Sequence, residues 1–407
     1  MSELLLERVR LATSKPPSET GVGPAQAVIE EAVDESVGLV VSRVVVSAFV
    51  DAFTRSCDLD NEAQTNAAMK VWRFALAQLA SRSVAFEEQI SAIRFKLADI
   101  LEHNEDWTEA AKVLMGIPLD SGHRQVDNLV KLDVYVRIVR LLLEDEDSVA
   151  AESYLNRASL LVNLNEINLS EEAKRLHLLF RASQARLLDF KRQFQLAAQK
   201  YLSLSYTSLM AESEKTVCLV QAVICAILAP AGPVRSRLLA TLYKDDRVRE
   251  NPDVCTLYYP ILEKMYLDRI LRPDEIAGFR DTLKAHQLAK LADGATVLDR
   301  AVMEHNVLAA SRIYTAIHFS ELSSLLGLGG DAAAAEGVVS RMVGESRVEG
   351  RIDQIEGLVY FETGNMVEGE GEDPMGKAIR GVCEQVDSVV EEVMKKNPDW
   401  VRAQMVY

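Results

Sequence analysis

Histidine and cysteine are scarce in this sequence, and nowhere do they gather. The six histidines, His103, His123, His177, His286, His305 and His318, make no HxH or HExxH and no His/Cys cluster, which argues against both zinc hydrolysis and a structural zinc site. The five cysteines, Cys57, Cys218, Cys225, Cys255 and Cys383, are odd in number and lack a CxxC spacing. Reduced thiols in a cytosolic or nuclear compartment are the simplest reading. Cys218 and Cys225 share a helical face, but with no second pair they read as core residues. Positive charge is short as well: 45 Lys and Arg against 61 Asp and Glu leave a net charge of -16. A nucleic-acid surface needs clustered cations to release counterions, so an acidic chain points to protein partners instead.

No apolar run reaches membrane-spanning length. The stretch 37–53 contains Arg43 and Asp51, and 217–229 is 13 residues with Gln221 inside it; both read as buried helices. Glu3 and Glu7 in MSELLLERVR are at odds with a signal or transit peptide. Neither GxSxG nor a Walker loop occurs. Residues 327–332 match GxGxxA, but a helical pattern precedes them where the dinucleotide fingerprint needs a strand. The carboxylates at 144–147 lie in a polar inter-helix break and read as solvated charge. No cofactor is expected.

With 11 prolines, 20 glycines and 6% aromatics, and 48% of residues hydrophobic, the chain reads as mostly helical with a large core. Residues 1–24 are expected to form a mobile segment that opens with a short helix and then turns to SKPPSETGVGP, which is rich in turn formers. From 25 to 199 helical periodicity is broken at HNEDW, EDED and DFKRQ. Each break precedes a small-residue pair, Ala110-Ala111, Ala150-Ala151 and Ala197-Ala198, at spacings of 40 and 47 residues. This fits a solenoid of helical hairpins in close contact through alanine. Further helices are expected at 213–228, 235–243, 257–270 and 273–291.

The stretch 298–361 orders a long helix, a β-prone segment at 316–319, a helix capped by Ser320 and stopped at Gly327, a helix capped by Asp331, and two strands at 348–352 and 358–361 around a turn at 353–357. That order is a winged helix. The stripe of Ala335, Val338, Val339 and Met342 is its buried face. Winged helices often read DNA, yet this one has five arginines against ten carboxylates over 299–362. Edge pairing with another protein is favoured over DNA contact.

After a Gly- and acid-rich linker at 364–374, a helix in 375–407 carries Ile379, Val382, Val386, Val389 and Val393 at alternating spacings of 3 and 4. This heptad seam cannot be buried against itself. Each aliphatic left exposed forgoes about 1.5–3 kcal/mol, so the helix calls for a partner, or for a fold back onto the solenoid.

The runs MEHNVLAASRIY, IHFSELSSLLGL and SRMVGESRVEGRIDQIEGLVYFE resemble the C-terminal half of a PCI domain, and within that superfamily the fourth-subunit family of the COP9 signalosome. Glu304-His305-Asn306 and Ile352-Asp353-Gln354-Ile355 are the most specific parts. The triplet is shared with a proteasome-lid PCI subunit, so that alternative stays open, with a DNA-binding regulator behind it. The resemblance implies an all-α chain with a small β wing. Its parts are a helical-repeat solenoid at 25–199, a PCI domain at 200–363 whose winged helix is 298–363, and a C-terminal bundle helix. It implies a non-catalytic scaffold in cytoplasm and nucleus. Such a chain sits beside other PCI subunits and a metalloprotease subunit that strips a ubiquitin-like modifier from cullins in cullin-RING ligases, with no nucleic-acid or membrane partner. Ile352, Asp353, Gln354, Ile355 and Leu358 would contact neighbouring winged helices, and the 379–393 seam would enter a shared bundle. Glu304, His305 and Asn306 are expected to satisfy buried backbone rather than to catalyse.

Overall fold

The computed structural model describes residues 2–13, 21–34, 37–58, 60–119, 126–162, 170–290 and 294–361, with 382, 386, 389 and 396 beyond them. The first helices are α1 (Ser2–Ala12), α2 (Val22–Val33), α3 (Leu39–Ser56) and α4 (Glu62–Ala80), followed by a 3₁₀ turn at Ser83–Phe86. The expected mobile segment at 1–24 is corrected over its described part. Leu5 and Val9 of α1 are buried in the main core, and α2 opens at Val22 rather than at residue 25. Spacing of apolar residues decides this, since Leu5 and Val9 lie four apart on one helical face. One of the apolar-run readings differs in degree. Along α3, Val45, Val46, Phe49 and Val50 are buried while Val40 and Val44 are exposed, so the helix is covered on one face only.

Three hairpins follow as read from the sequence: α5 (Glu87–His103) with α6 (Trp107–Met115), α7 (Asn128–Glu144) with α8 (Ser148–Val162), and α9 (Glu171–Phe190) with α10 (Phe194–Ser205). Their turns share one geometry. Glu105, Glu146 and Arg192 each adopt positive φ (63°, 62° and 58°). The next N–H of each turn donates back to a carbonyl of the first helix: Asp106 to Leu101, Asp147 to Leu142 and Gln193 to Leu188, all at 2.9 Å. These are Schellman-type stops built without glycine. Ala110, Ala111, Ala151, Ala197 and Ala198 are buried, and the absence of longer side chains there lets the helices approach.

The carboxylates at 144–147 are exposed, as read from the sequence, and three of them also tie the break down. Arg186 on α9 grips Glu144 at the end of α7 through two hydrogen bonds of 2.6 and 2.9 Å. Asp145 accepts from Thr108 at 2.9 Å, and Asp147 accepts the Ala150 N–H of α8 at 3.0 Å. One repeat earlier, Arg137 on α7 donates to Glu102 and Asp99 on α5, each at 2.6 Å. The second and third hairpins thus each hold the preceding one by an arginine between first helices.

The next helices are α11 (Glu212–Leu228), α12 (Pro233–Tyr243), α13 (Asp246–Glu250), α14 (Pro252–Leu257), α15 (Tyr259–Tyr266), α16 (Pro273–Arg280) and α17 (Val297–Ile313). Two expected helices are shorter than the sequence indicated. The one placed at 257–270 stops at Tyr266, where the following Asp268 takes positive φ, and the one placed at 273–291 stops at Arg280. Residues 281–290 turn instead, with Leu283 and Gln287 buried among them. Compactness divides the chain into two units. One runs to Leu267 and resumes over Pro273–Val302; the other takes Asp268–Arg272 and continues from Met303.

In the second unit β1 (Ala316–His318), α18 (Phe319–Leu326), α19 (Ala332–Gly344), β2 (Gly350–Asp353) and β3 (Leu358–Phe361) complete the winged-helix order. The antiparallel sheet runs β1-β3-β2, with Ile317 opposite Val359 and Ile352 opposite Val359. Gly327 stops α18 at φ 75°, and Asp331 caps α19 by accepting the Ala333 and Ala334 N–H groups at 3.1 Å. Ser320 is not the cap expected of it: α18 begins a residue earlier, at Phe319, whose N–H bonds the Gly357 carbonyl at 2.9 Å. The first wing strand starts at Gly350 rather than at 348. Val348 is buried against the helices, and a Cβ at 350 would come within 2.7 Å of the Tyr360 carbonyl, so the ladder closes where glycine stands.

Candidate protein-interaction site

The wing is built around one carboxylate. Asp353 accepts the N–H groups of Ile355 (3.0 Å) and Glu356 (3.2 Å), folding the turn, and Gly357 reverses the chain at φ 67°. Gln354 donates to Glu336 on α19, which fixes the turn against the helix. Of the five wing residues predicted as contacts, Asp353 and Gln354 are therefore engaged within the module. Ile352 and Leu358 are half-buried in the ladder, and Ile355 projects at the tip with 98% of its surface exposed. Among the described residues β2 pairs only with β3, so its other edge offers unpaired backbone groups beside an exposed isoleucine. Such an edge is a template for another strand.

Glu304, His305 and Asn306 are all buried on α17. Asn306 accepts the Leu271 N–H at 2.9 Å and donates to the Leu271 carbonyl at 3.0 Å, as a neighbouring strand would. His305 Nε2 lies 2.9 Å from the Arg269 carbonyl; a carbonyl can only accept, so this nitrogen carries the proton. Glu304 takes Arg347 at 2.5 Å. The triplet ties 268–272 and Arg347 to one helix.

Of the C-terminal seam, Val382, Val386 and Val389 are helical with 60%, 54% and 58% of their surface exposed, while Ile379 and Val393 lie outside the described residues. Spaced by four and three, the described valines occupy one helical face.

Against this geometry stand the similarities to known proteins. The family model described as PSMD12/CSN4, N-terminal, matches residues 26–213, and that of the PCI domain matches 281–363, a narrower span than the 200–363 expected. The chain is similar to COP9 signalosome complex subunit 4 of Drosophila melanogaster, at 42% identity over 92% of this chain and 86% of the relative. The chain belongs to the COP9 signalosome subunit 4 family. The subunit 4 proteins of Dictyostelium discoideum (42% identity, 92% of this chain and 89% of the relative) and Arabidopsis thaliana (39%, 96% and 94%) match over a similar extent.

In this subunit 4 family chain the polar cluster that sequence reading missed surrounds Asp189, at the end of α9. Its carboxylate is fully buried. Gln287 Nε2 donates to both oxygens at 3.1 and 3.0 Å, His286 Nε2 lies 3.1 Å from Oδ2, and the Cys225 thiol donates to Oδ1 at 3.7 Å. His286 stacks on Phe190, with ring centroids 4.1 Å apart. Burial, and then the Asp189 charge, pushes the Cys225 thiol well up, which keeps it an unreactive thiol. Tyr201 is pushed up for the same reasons in the same order. The cluster holds Gln287 of the turning stretch 281–290 inside, where the expected helix to 291 would have continued. Only the polar spelling of DFKRQ hinted at it, and that spelling equally suits an exposed turn.

An apolar groove of about 660 Å³ opens between α9 and α11, lined by Leu178, Leu179, Met210 and Val217. Its charges are Glu171, Lys174, Arg175 and Glu214, of which Glu171 and Lys174 pair at 2.6 Å. No three His, Cys, Asp or Glu side chains gather as a metal site among the described residues, and no described helix is long and apolar enough to cross a membrane. The glycine run after α18 is likewise filled from within, because the Asp331 carboxylate occupies the helix N–H groups a phosphate would need.

Proposed function

We propose that this chain is a non-catalytic scaffold and substrate-engaging subunit of the COP9 signalosome. It supports removal of the ubiquitin-like modifier from cullins in cullin-RING ligases by a metalloprotease subunit that is a separate chain. The observation that carries the reading is the match to a subunit 4 protein over 92% of the chain. Scaffold work also suits what the winged helix presents: an unpaired β2 edge and Ile355 for a neighbouring winged helix. The exposed valines 382, 386 and 389 supply a seam for a bundle of partner helices. The chain works in cytoplasm and nucleus, a setting in keeping with the four free thiols of its described residues.

The test is a pull-down at mild salt of the tagged full chain and of a version stopping after Gly364, with mass spectrometry of what is bound. The full chain is expected to recover a stoichiometric set that includes a metalloprotease and cullins, and the shortened chain to recover less of it. Recovery of proteasome subunits, or of no stoichiometric partner, overturns the reading.

A further inference from the structure

A platform of tyrosines with one arginine stands on the surface of α12, α13 and α15. Tyr243 stacks on Tyr266 with centroids 4.5 Å apart and on Tyr259 at 5.8 Å, interplanar angles 20° and 15°. The Arg249 guanidinium lies 4.9 Å over Tyr243 and 5.6 Å over Tyr259, and its Nε donates to the Tyr259 hydroxyl at 3.0 Å. Stacking and that one bond fix the plane of the guanidinium and leave both terminal nitrogens unused. Arg249 is exposed and has no carboxylate within ion-pairing distance among the described residues. Its neighbour Arg247 is different: Asp245 and the Ser205 carbonyl hold it at 2.6 and 2.8 Å. The local charge is also unlike the chain as a whole, with six basic residues against five acidic over 233–267 in a protein of net charge -16.

Tyrosine and arginine are the residues that dominate binding energy at protein interfaces, and a pre-oriented guanidinium fork matches a carboxylate bidentately. We infer that Tyr243, Arg249, Tyr259 and Tyr266 form a docking surface for an acidic segment of a partner protein. Arg249 receives an Asp or Glu carboxylate in a two-pronged pair, and the tyrosine faces receive the apolar atoms beside it. The inference rests on the scaffold reading and adds a third contact surface, separate in sequence from the wing and the C-terminal seam. Lysine would supply the charge without the fork, so Arg249→Lys is the informative conservative change.

The experiment places a benzophenone side chain at position 266 of the full chain, co-expressed with the signalosome subunits. Stoichiometry of the purified complex is read first; the cross-linked peptide is then sequenced after irradiation. The expected product joins position 266 to a partner peptide carrying Asp or Glu. Its yield falls about tenfold or more with Arg249→Gln and by an intermediate amount with Arg249→Lys, while the stoichiometry is kept. Phosphatase treatment beforehand leaves the yield unchanged; a loss on treatment assigns the surface to a phosphate and overturns the carboxylate. A chain that fails to enter the complex overturns the scaffold reading and this surface with it. A chain that enters but gives no cross-link, or one indifferent to Arg249→Gln, overturns the surface alone.

Discussion

At the scale of residues, the polar side chains of the interior act as backbone partners. Asn306 satisfies both the N–H and the carbonyl of Leu271, and its removal leaves a buried donor and a buried acceptor unmet. At about 1–3 kcal/mol for each unsatisfied group, Asn306→Ala is expected to cost about 2–6 kcal/mol, read as a fall in the urea midpoint. A change below about 1 kcal/mol would mean that water replaces the amide. Glu144 gives a pH prediction. The two hydrogen bonds from Arg186 hold its carboxyl below the ordinary range, against the opposing effect of partial burial. Its folded pKa is therefore lower than its unfolded one, and the unfolded state takes up the proton first. The stabilisation is complete above the unfolded value of about 4.3 and is lost as pH falls through the folded value. Arg186→Met is expected to flatten that acid limb of the stability curve and to leave its slope near neutral pH unchanged. The Glu304-His305-Asn306 triplet stands out in the sequence, whereas Asp189 does not. Three polar residues in a row on an apolar helix demand partners, but a single carboxylate at a helix end reads as solvent-facing until the chain that covers it, ninety-eight positions later, is in place.

At the scale of elements, what was legible was whatever local patterning determines. The three hairpins were readable because polar breaks and alanine pairs recur, and the winged helix because caps, glycine stops and strand alternation all agree. Where the expected elements failed, a tertiary contact had overruled local propensity. Residues 281–290 carry helix-forming composition, yet they turn, and the Gln287 amide among them donates to the buried Asp189 carboxylate. The C-terminal seam is the element whose pattern most plainly exceeds what its own chain covers. Val386→Asp with Val389→Asp puts charge on two side chains that are 54% and 58% exposed here. The double variant is expected to keep its far-ultraviolet circular dichroism and thermal midpoint and to drop out of the complex on gel filtration. A falling midpoint with retained assembly would instead assign the seam to this chain's own core.

At the scale of the whole molecule, two compact units meet within a single helix, since α17 begins in one and ends in the other. A chain of this kind is not bound to unfold in one step. Hydrogen exchange can tell how far α17 transmits stability, because opening free energies are read amide by amide. Two variants probe the two sides. Asp189→Ala strips the acceptor from Gln287 and Cys225, both within the first unit, and Asn306→Ala frees the Leu271 backbone within the second. If the units are cooperative separately, Asn306→Ala speeds exchange across α18, α19 and the wing while α7 to α10 keep their protection, and Asp189→Ala does the converse. If α17 joins them into one cooperative body, either variant lowers protection in both units by the same free energy. The first pattern is the expected one. Each variant removes hydrogen bonds confined to one unit, and so acts first on the unit that holds them.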